Sequence, residues 1–335
     1  MKVSELGEFG LIELLAKMVT QGEDLRVSPW RQLLIGIGDD TAAFKGDSST
    51  QLVTTDCLIQ DVHFSLDTAS FRAVGWKAMA ANLSDIAAMG GEARYALVCL
   101  ALPKDTEVDS VSDLYSGMIE LAQQHQVAII GGDTSSAPVV MISITVTGSA
   151  PTQGVLTRSA AKVGDQVAVT GFLGTAAAGL EMLKKKLKFD AKTKLTLADA
   201  FLYPQPRLIE GRLLLRCGVK AAIDISDGLT SDLRHILKAS RVSARIEVER
   251  IPVHPAVRAS FYNRALELAL SGGEDYELLF TGSSQAIKKI RAEAACAITV
   301  IGEIVSGEAG EASLIDTGGR PYVPGKTGWE HFATG

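Results

Sequence analysis

The sequence predicts an α/β protein of two domains, and three observations carry that prediction. Apolar stretches of strand length alternate with amphipathic stretches of helix length along the first 150 residues. The same alternation restarts after a stretch rich in Gly, Ser, Thr and Pro at residues 148–165. The 335 residues, 47% hydrophobic and 21% charged, are enough for two cores of ordinary composition. The expected boundaries are residues 1–150 and 151–335.

Residues 5–19 space Leu11, Leu14, Leu15 and Met18 as one face of a first helix, followed by a polar loop at 20–33 with Ser28-Pro29 as breaker. Strands are expected at 33–37 and 52–55, the first delivering Gly38-Asp39-Asp40 and the second Asp56. Residues 71–89 form the strongest helix of this half, with Val74, Met79, Leu83 and Ile86 on its apolar face and Gly90-Gly91 as its stop. Asn82, Ser84 and Asp85 interrupt it with poorer helix formers. A strand at 94–102, a helix at 110–125, a strand at 127–130 running into a turn at Gly131-Gly132-Asp133-Thr134, and a strand at 139–147 complete the domain. In the second half, strands are expected at 166–170, 221–223, 276–281 and 299–305. Helices are expected at 176–187, at 196–217 with breaks at Pro204 and Pro206, from 229 past Leu237, and at 283–296. Ser226 or Asp227 is placed to cap the helix that starts at 229.

A net charge of −6 argues against a nucleic-acid surface, which needs a basic field. No apolar run approaches the ~18 residues of a membrane span. Glu5 and Glu8 sit where a secretory signal would be uncharged, so the expected location is the cytoplasm. Cys57, Cys99, Cys217 and Cys296 lie far apart, with no metal-ligand spacing, and read as small buried hydrophobes of a reducing compartment. The glycine turn 171–175 between strand and helix has the outline of a phosphate loop. It lacks G-x-x-x-x-G-K-[ST] and G-x-G-x-x-G, so close helix–strand packing is the better reading.

One idiom recurs: carboxylates beside Gly, Ser or Thr at element ends. It appears at Gly38-Asp39-Asp40, Thr54-Thr55-Asp56, Asn82-Leu83-Ser84-Asp85, Gly131-Gly132-Asp133-Thr134, Asp224-Ile225-Ser226-Asp227-Gly228 and Gly273-Glu274-Asp275. Mg²⁺ takes one or two carboxylates and completes its shell with water and phosphate oxygens. The acids are too many for one such ion and suit several around a polyphosphate. A carboxylate ~4 Å from a phosphate oxygen repels it by about 4 kcal/mol at an effective dielectric of 20, so converging acids need cations between them and any anion. Arg158, between Thr157 and Ser159, is the basic residue best placed for phosphate. These residues point to a multi-metal phosphate enzyme.

The ordered motifs from Gly7-Glu8-Phe9 to His331-Phe332 resemble the thiamine-monophosphate kinase family. That family is grouped with aminoimidazole-ribonucleotide synthetase, selenophosphate synthetase and hydrogenase-maturation ATPases. The resemblance implies γ-phosphoryl transfer from ATP to thiamine monophosphate, with several Mg²⁺ ions and often K⁺. It implies an N-terminal α/β domain whose strands build a barrel across a homodimer, and a C-terminal α/β domain. Position by position, it puts Asp39, Thr54, Thr55, Asp56, Asp85, Asp133, Asp224 and Asp227 on metal. Tyr115, Gly132, Asp133, Arg158 and Ser226 fall on ATP. His63, Glu274 and Trp329 fall on the thiamine moiety, Trp329 as a platform for the cationic thiazolium. Asp40 braces its turn. No general base stands out, and none is needed where the acceptor is an ionised phosphate oxygen. The competing expectations are another ATP-dependent synthetase of this fold, and a sensor that binds without turnover. The reactive cysteines of the synthetase relatives, near the N-terminus or at the C-terminus, have no counterpart here, since the first cysteine is Cys57.

Overall fold

The structure, a computed structural model, describes residues 1–24, 26–37, 42–46 and 48–325. Two compact units divide the chain: Met1–Ile86 with Glu92–Ala150, and Ala87–Gly91 with the chain from Pro151 onward.

The first unit begins with α1 (Val3–Leu6) and α2 (Glu8–Gln21), which the break at Gly7 separates where one helix was expected. α2 buries Leu11, Leu15 and Val19, one side chain per turn. The polar loop expected at 20–33 contains a short helix, α3 (Ser28–Gln32), because Pro29 sits in its first turn, where a missing N–H costs nothing. After it come β1 (Leu33–Ile35), β2 (Ala43–Phe44), β3 (Gln51–Ile59), α4 (Phe71–Ala88), β4 (Glu92–Leu102), α5 (Val108–Gln124), β5 (Ala128–Ser136) and β6 (Met141–Ser149).

The main sheet runs β3-β6-β4-β5, with β4 and β5 parallel and the other pairs antiparallel. Alternation sends Ile142, Ile144, Val146, Val98 and Leu100 into the core with Leu83, Leu114 and Met118. α4 crosses α5 with Gly75 against the Leu114 carbonyl. It is not the one-faced helix the sequence implied. From Ala73 to Ala88 every residue is buried except Asp85.

Among the described residues, the other face of the sheet is covered at one end, where Trp30 and Leu33 pack on Tyr95, Ala128 and Ile130. Elsewhere on that face, among the described residues, Val53 is 68% exposed, Leu97 38% and Met141 36%. Cys57 and Cys99 lie on this face and are exposed, not buried as expected; the strand alternation turns them outward.

Two motifs expected at strand ends lie inside strands. Asp56 sits in the middle of β3, and Gly131-Gly132-Asp133-Thr134 belongs to β5. The paired glycines mark a bulge: β4 and β5 shift register between Ala96 and Leu97, which pair with Ile129 and Gly131. A Cβ on Gly132 would lie 1.9 Å from the Val98 carbonyl oxygen, so only glycine fits.

The second unit contains β7 (Gln166–Thr170), α6 (Thr175–Lys185), α7 (Ala191–Leu202), α8 (Leu208–Arg216), β8 (Ala221–Asp224), α9 (Leu229–Ser240), β9 (Ser243–Glu247), α10 (Pro255–Phe261), α11 (Ala265–Ser271), β10 (Leu278–Gly282), α12 (Ser284–Glu293), β11 (Ile298–Val305) and β12 (Ala312–Ile315). Its sheet runs β12-β9-β11-β7-β10-β8, antiparallel except for β12 with β9. Val167, Val169, Ile223, Leu279 and Ile301 from the strands join Leu233, Ile236 and Met182 from the helices in one core. Among the described residues no helix is long and apolar enough to cross a membrane.

On this unit's surface, Arg264 grips both oxygens of Glu181 at 2.6 and 2.7 Å, and Lys185 adds a bond of 2.9 Å. The Arg264 guanidinium, with Lys185 behind it, holds the Glu181 carboxyl down to about 2. A depressed carboxylate stabilises the fold above the unfolded-state value and loses that contribution as pH falls through the folded one. Stability should therefore drop by about 1–2 kcal/mol, allowing for solvent screening, between pH ~4.5 and ~2. Urea titrations across that window check this, and Glu181→Gln should abolish that part of the pH dependence.

Candidate functional site

In the first unit three of the candidate side chains gather where α4 passes the edge strand β3. The Thr54 hydroxyl donates to Asp85 Oδ2 at 2.5 Å. Asn82, fully buried one turn earlier, accepts the Asp56 amide proton at 3.1 Å and donates its own amide to the Ala78 carbonyl at 3.0 Å. Asn82 thus fixes β3 against the helix, and Asp85 is the single point in that helical run that reaches solvent. Thr54, Asp56 and Asp85 are brought together. Thr55 is on the opposite face of the sheet, bonded to the Ile144 carbonyl and to Thr145. Asp133 pairs in register with Cys99 and shares that outward face. Tyr115 is buried in the α5 core, where loss of solvent pushes its phenol well above the usual range. His63 follows β3, and its Nδ1 accepts the Ile59 amide proton at 3.0 Å. The neutral ring therefore carries its proton on Nε2.

In the second unit β8 ends at Asp224 and the chain turns through Ile225-Ser226-Asp227-Gly228 into α9. The cap expected from Ser226 or Asp227 is not made: Gly228 is the N-cap residue, with no side-chain bond. Asp232 works in the reverse direction. Its Oδ2 accepts the amide protons of Ser226, Asp227 and Gly228, each at 3.1 Å. Burial, then the charges of Asp224 and Asp227, pushes the Asp232 carboxyl up to about 8. The negative charges of Asp224 and Asp227 favour the protonated form of Asp232.

Sequence reasoning missed Asp232, although an acid in the first turn of a helix is a readable signal. His235 follows on the same helix, its imidazole held down by burial and by Arg158 while Asp227 raises it. The Ser240 hydroxyl, at the far end of α9, donates to the Arg158 carbonyl at 2.8 Å.

A second loop, residues 272–277, runs alongside. Its Glu274 amide donates to the Ser226 carbonyl at 2.8 Å, and its Tyr276 amide to the Ile225 carbonyl at 2.9 Å. Glu274 and Tyr276 are held at φ 66° and 49°, which non-glycine residues seldom adopt. Gly273 lets the loops touch, since a Cβ there would lie 2.3 Å from the Ser226 carbonyl. Asp275 binds the amides of Gly174 and Ala176 at 2.7 and 3.2 Å, filling the α6 N-terminus that outlined a phosphate loop. Asp39, Asp40 and Trp329 lie outside the described residues.

The candidate ligands are oxygen donors, carboxylates and hydroxyls, a set that fits Mg²⁺ and gives zinc nothing soft to bind. Among the described residues no three His, Cys, Asp or Glu side chains are arranged to hold a metal ion. A Mg²⁺ ion sharing one or two carboxylates with substrate phosphates needs no such group.

The chain matches two successive families, the AIR synthase related protein N-terminal domain over residues 38–150 and its C-terminal domain over residues 162–315. Together they define the class: a two-domain AIR-synthase-related α/β protein. A thiamine-monophosphate kinase of Aquifex aeolicus (strain VF5) is 35% identical over 335 residues, 99% of this chain and all of that protein. The crystal structure of thiamine-monophosphate kinase from Stenotrophomonas maltophilia K279a superposes with a TM-score of 0.81 at 32% identity, covering 94% of this chain and 98% of that one. A structure described as AaThiL complexed with AMPPCP and TMP gives 0.76 at 33% identity, with 99% of both chains covered. The chain belongs to the thiamine-monophosphate kinase family.

Proposed function

We propose that this chain transfers the γ-phosphoryl group of ATP to thiamine monophosphate, forming thiamine diphosphate. The observation that carries the reading is the end-to-end similarity to a thiamine-monophosphate kinase at 35% identity. A relative complexed with AMPPCP and TMP supports it.

Thr54, Asp56 and Asp85 in the first unit, and Asp224 and Asp227 in the second, would hold Mg²⁺; Asp39, Thr55 and Asp133 complete the proposed metal set, with K⁺ as an accessory ion. Bound Mg²⁺ supplies charge neutralisation on the phosphate oxygens. Gly132, Asp133, Arg158 and Ser226 orient the nucleotide, Arg158 through its guanidinium, with Tyr115 the remaining member of that set. His63, Glu274 and Trp329 hold the thiamine moiety. The chain needs no proton acceptor, because the attacking phosphate oxygen is ionised near neutral pH; its task is alignment and charge.

The reading places the protein in the cytoplasm as a homodimer joined through the open sheet face carrying Val53, Leu97 and Met141. Apolar exposure of that kind marks an interaction surface. A monomer mass in sedimentation equilibrium would remove the dimer. The function is tested with purified protein, ATP, Mg²⁺ and thiamine monophosphate. Thiamine diphosphate is the expected product. ATP consumed without it, or tight binding with no turnover, overturns the kinase.

A further inference from the structure

We propose that Asp232 is a positioning residue that sets both the acidic loop 224–228 and, through it, the neighbouring loop 272–277. Asp232 is 2% exposed, and its Oδ2 is shared by three successive amides, so it is spent on the backbone and does not reach a ligand. A loop whose three consecutive N–H groups converge on one oxygen has little conformational freedom left. That convergence fixes the peptide carrying the Ser226 carbonyl, which receives the Glu274 amide. The adjoining Ile225 bonds in both directions, its carbonyl taking the Tyr276 amide and its amide reaching the Glu277 carbonyl at 2.8 Å. Glu274 and Tyr276 keep their left-handed backbone only while these bonds hold them. One carboxylate oxygen thus orders the two loops that the kinase reading assigns to ATP and to thiamine monophosphate. It acts on both through backbone geometry.

The kinetic part of this inference rests on that reading; the structural part does not. The test compares Asp232→Asn, which keeps an oxygen at the same place, with Asp232→Ala, which removes it. Loss of a supporting hydrogen bond behind a ligand site costs about 10–100-fold in activity or metal affinity. Asp232→Ala should lower kcat/KM for both MgATP and thiamine monophosphate by about 30-fold, and Asp232→Asn by no more than about 3-fold. In the ligand-free full chain, amide hydrogen exchange in segments 224–232 and 271–277 should accelerate in the alanine variant and stay native in the asparagine variant. Unchanged exchange in a folded Asp232→Ala overturns the proposal. So does an Asp232→Asn as impaired as the alanine variant, which would make the charge, not the acceptor, the essential property. Should Asp232→Ala not fold, Asp232→Asn decides: native exchange supports the proposal, accelerated exchange in both segments overturns it. A wild-type chain without kinase activity removes the kinase reading and leaves the exchange comparison decisive for Asp232.

Discussion

Asp227→Asn and Asp56→Asn should each lower turnover at least about 100-fold while leaving the fold intact, an effect of the size seen when one charge-stabilising group is lost. Both substitutions are isosteric, and each keeps the backbone contact made at its position. The Asp227 amide still binds Asp232, and the Asp56 amide still binds Asn82. What changes is one negative charge in each unit. In the second unit that charge is one of the two that, after burial, push the Asp232 carboxyl upward. The loss should fall on kcat, with a raised Mg²⁺ requirement, because the missing carboxylate matters most as charge shifts during transfer. Turnover and Mg²⁺ titrations on both variants, with circular dichroism to verify folding, check it. Near-normal turnover in both would end the multi-metal account.

Residue type announced these acids more reliably than it announced their setting. Asp56 and Asp133 looked like turn residues because Gly, Thr and Asp are turn formers, yet both lie within strands. At Gly131-Gly132 the glycines answer a bulge and the closeness of the Val98 carbonyl, and neither cause is visible in a linear pattern. The long elements were legible, α5 from its clear period and α4 from its length and the Gly90-Gly91 stop. The chain from β9 through α11 was not anticipated, because its elements run only three to seven residues and end without strong signals. At the site, Arg158, Ser226 and Asp227 could be picked out as types. The bracing roles of Asp232 and Asp275 were not legible, because both acquire them from backbone amides, in the case of Asp275 from one 101 residues away in sequence.

Glu277→Ala should cost the second unit about 3–5 kcal/mol, the loss expected when one partner of a buried ion pair is removed. Glu277 and Arg207 meet side-on, with Nε to Oε2 at 2.7 Å and Nη2 to Oε1 at 2.5 Å, and both are largely buried. The Thr170 hydroxyl, with no exposure, donates to the same carboxylate at 2.5 Å and accepts the Leu278 amide proton at 2.8 Å. Without Glu277, a guanidinium is left short of solvent and a buried hydroxyl proton has no acceptor, each a penalty beyond the lost bond. Arg207→Ala should be at least as damaging, since the carboxylate it abandons is only 8% exposed. Replacing both at once, Glu277→Leu with Arg207→Met, should recover the part of the loss that comes from the orphaned charge, while the Thr170 hydroxyl still lacks its acceptor. Urea unfolding of the three variants measures this. A Glu277→Ala cost below about 1 kcal/mol would show the pair to be no better than a surface contact. The consequence reaches the site: the Glu277 carbonyl accepts the Ile225 amide, so the peptide that carries the ion pair also carries one edge of the acidic loop.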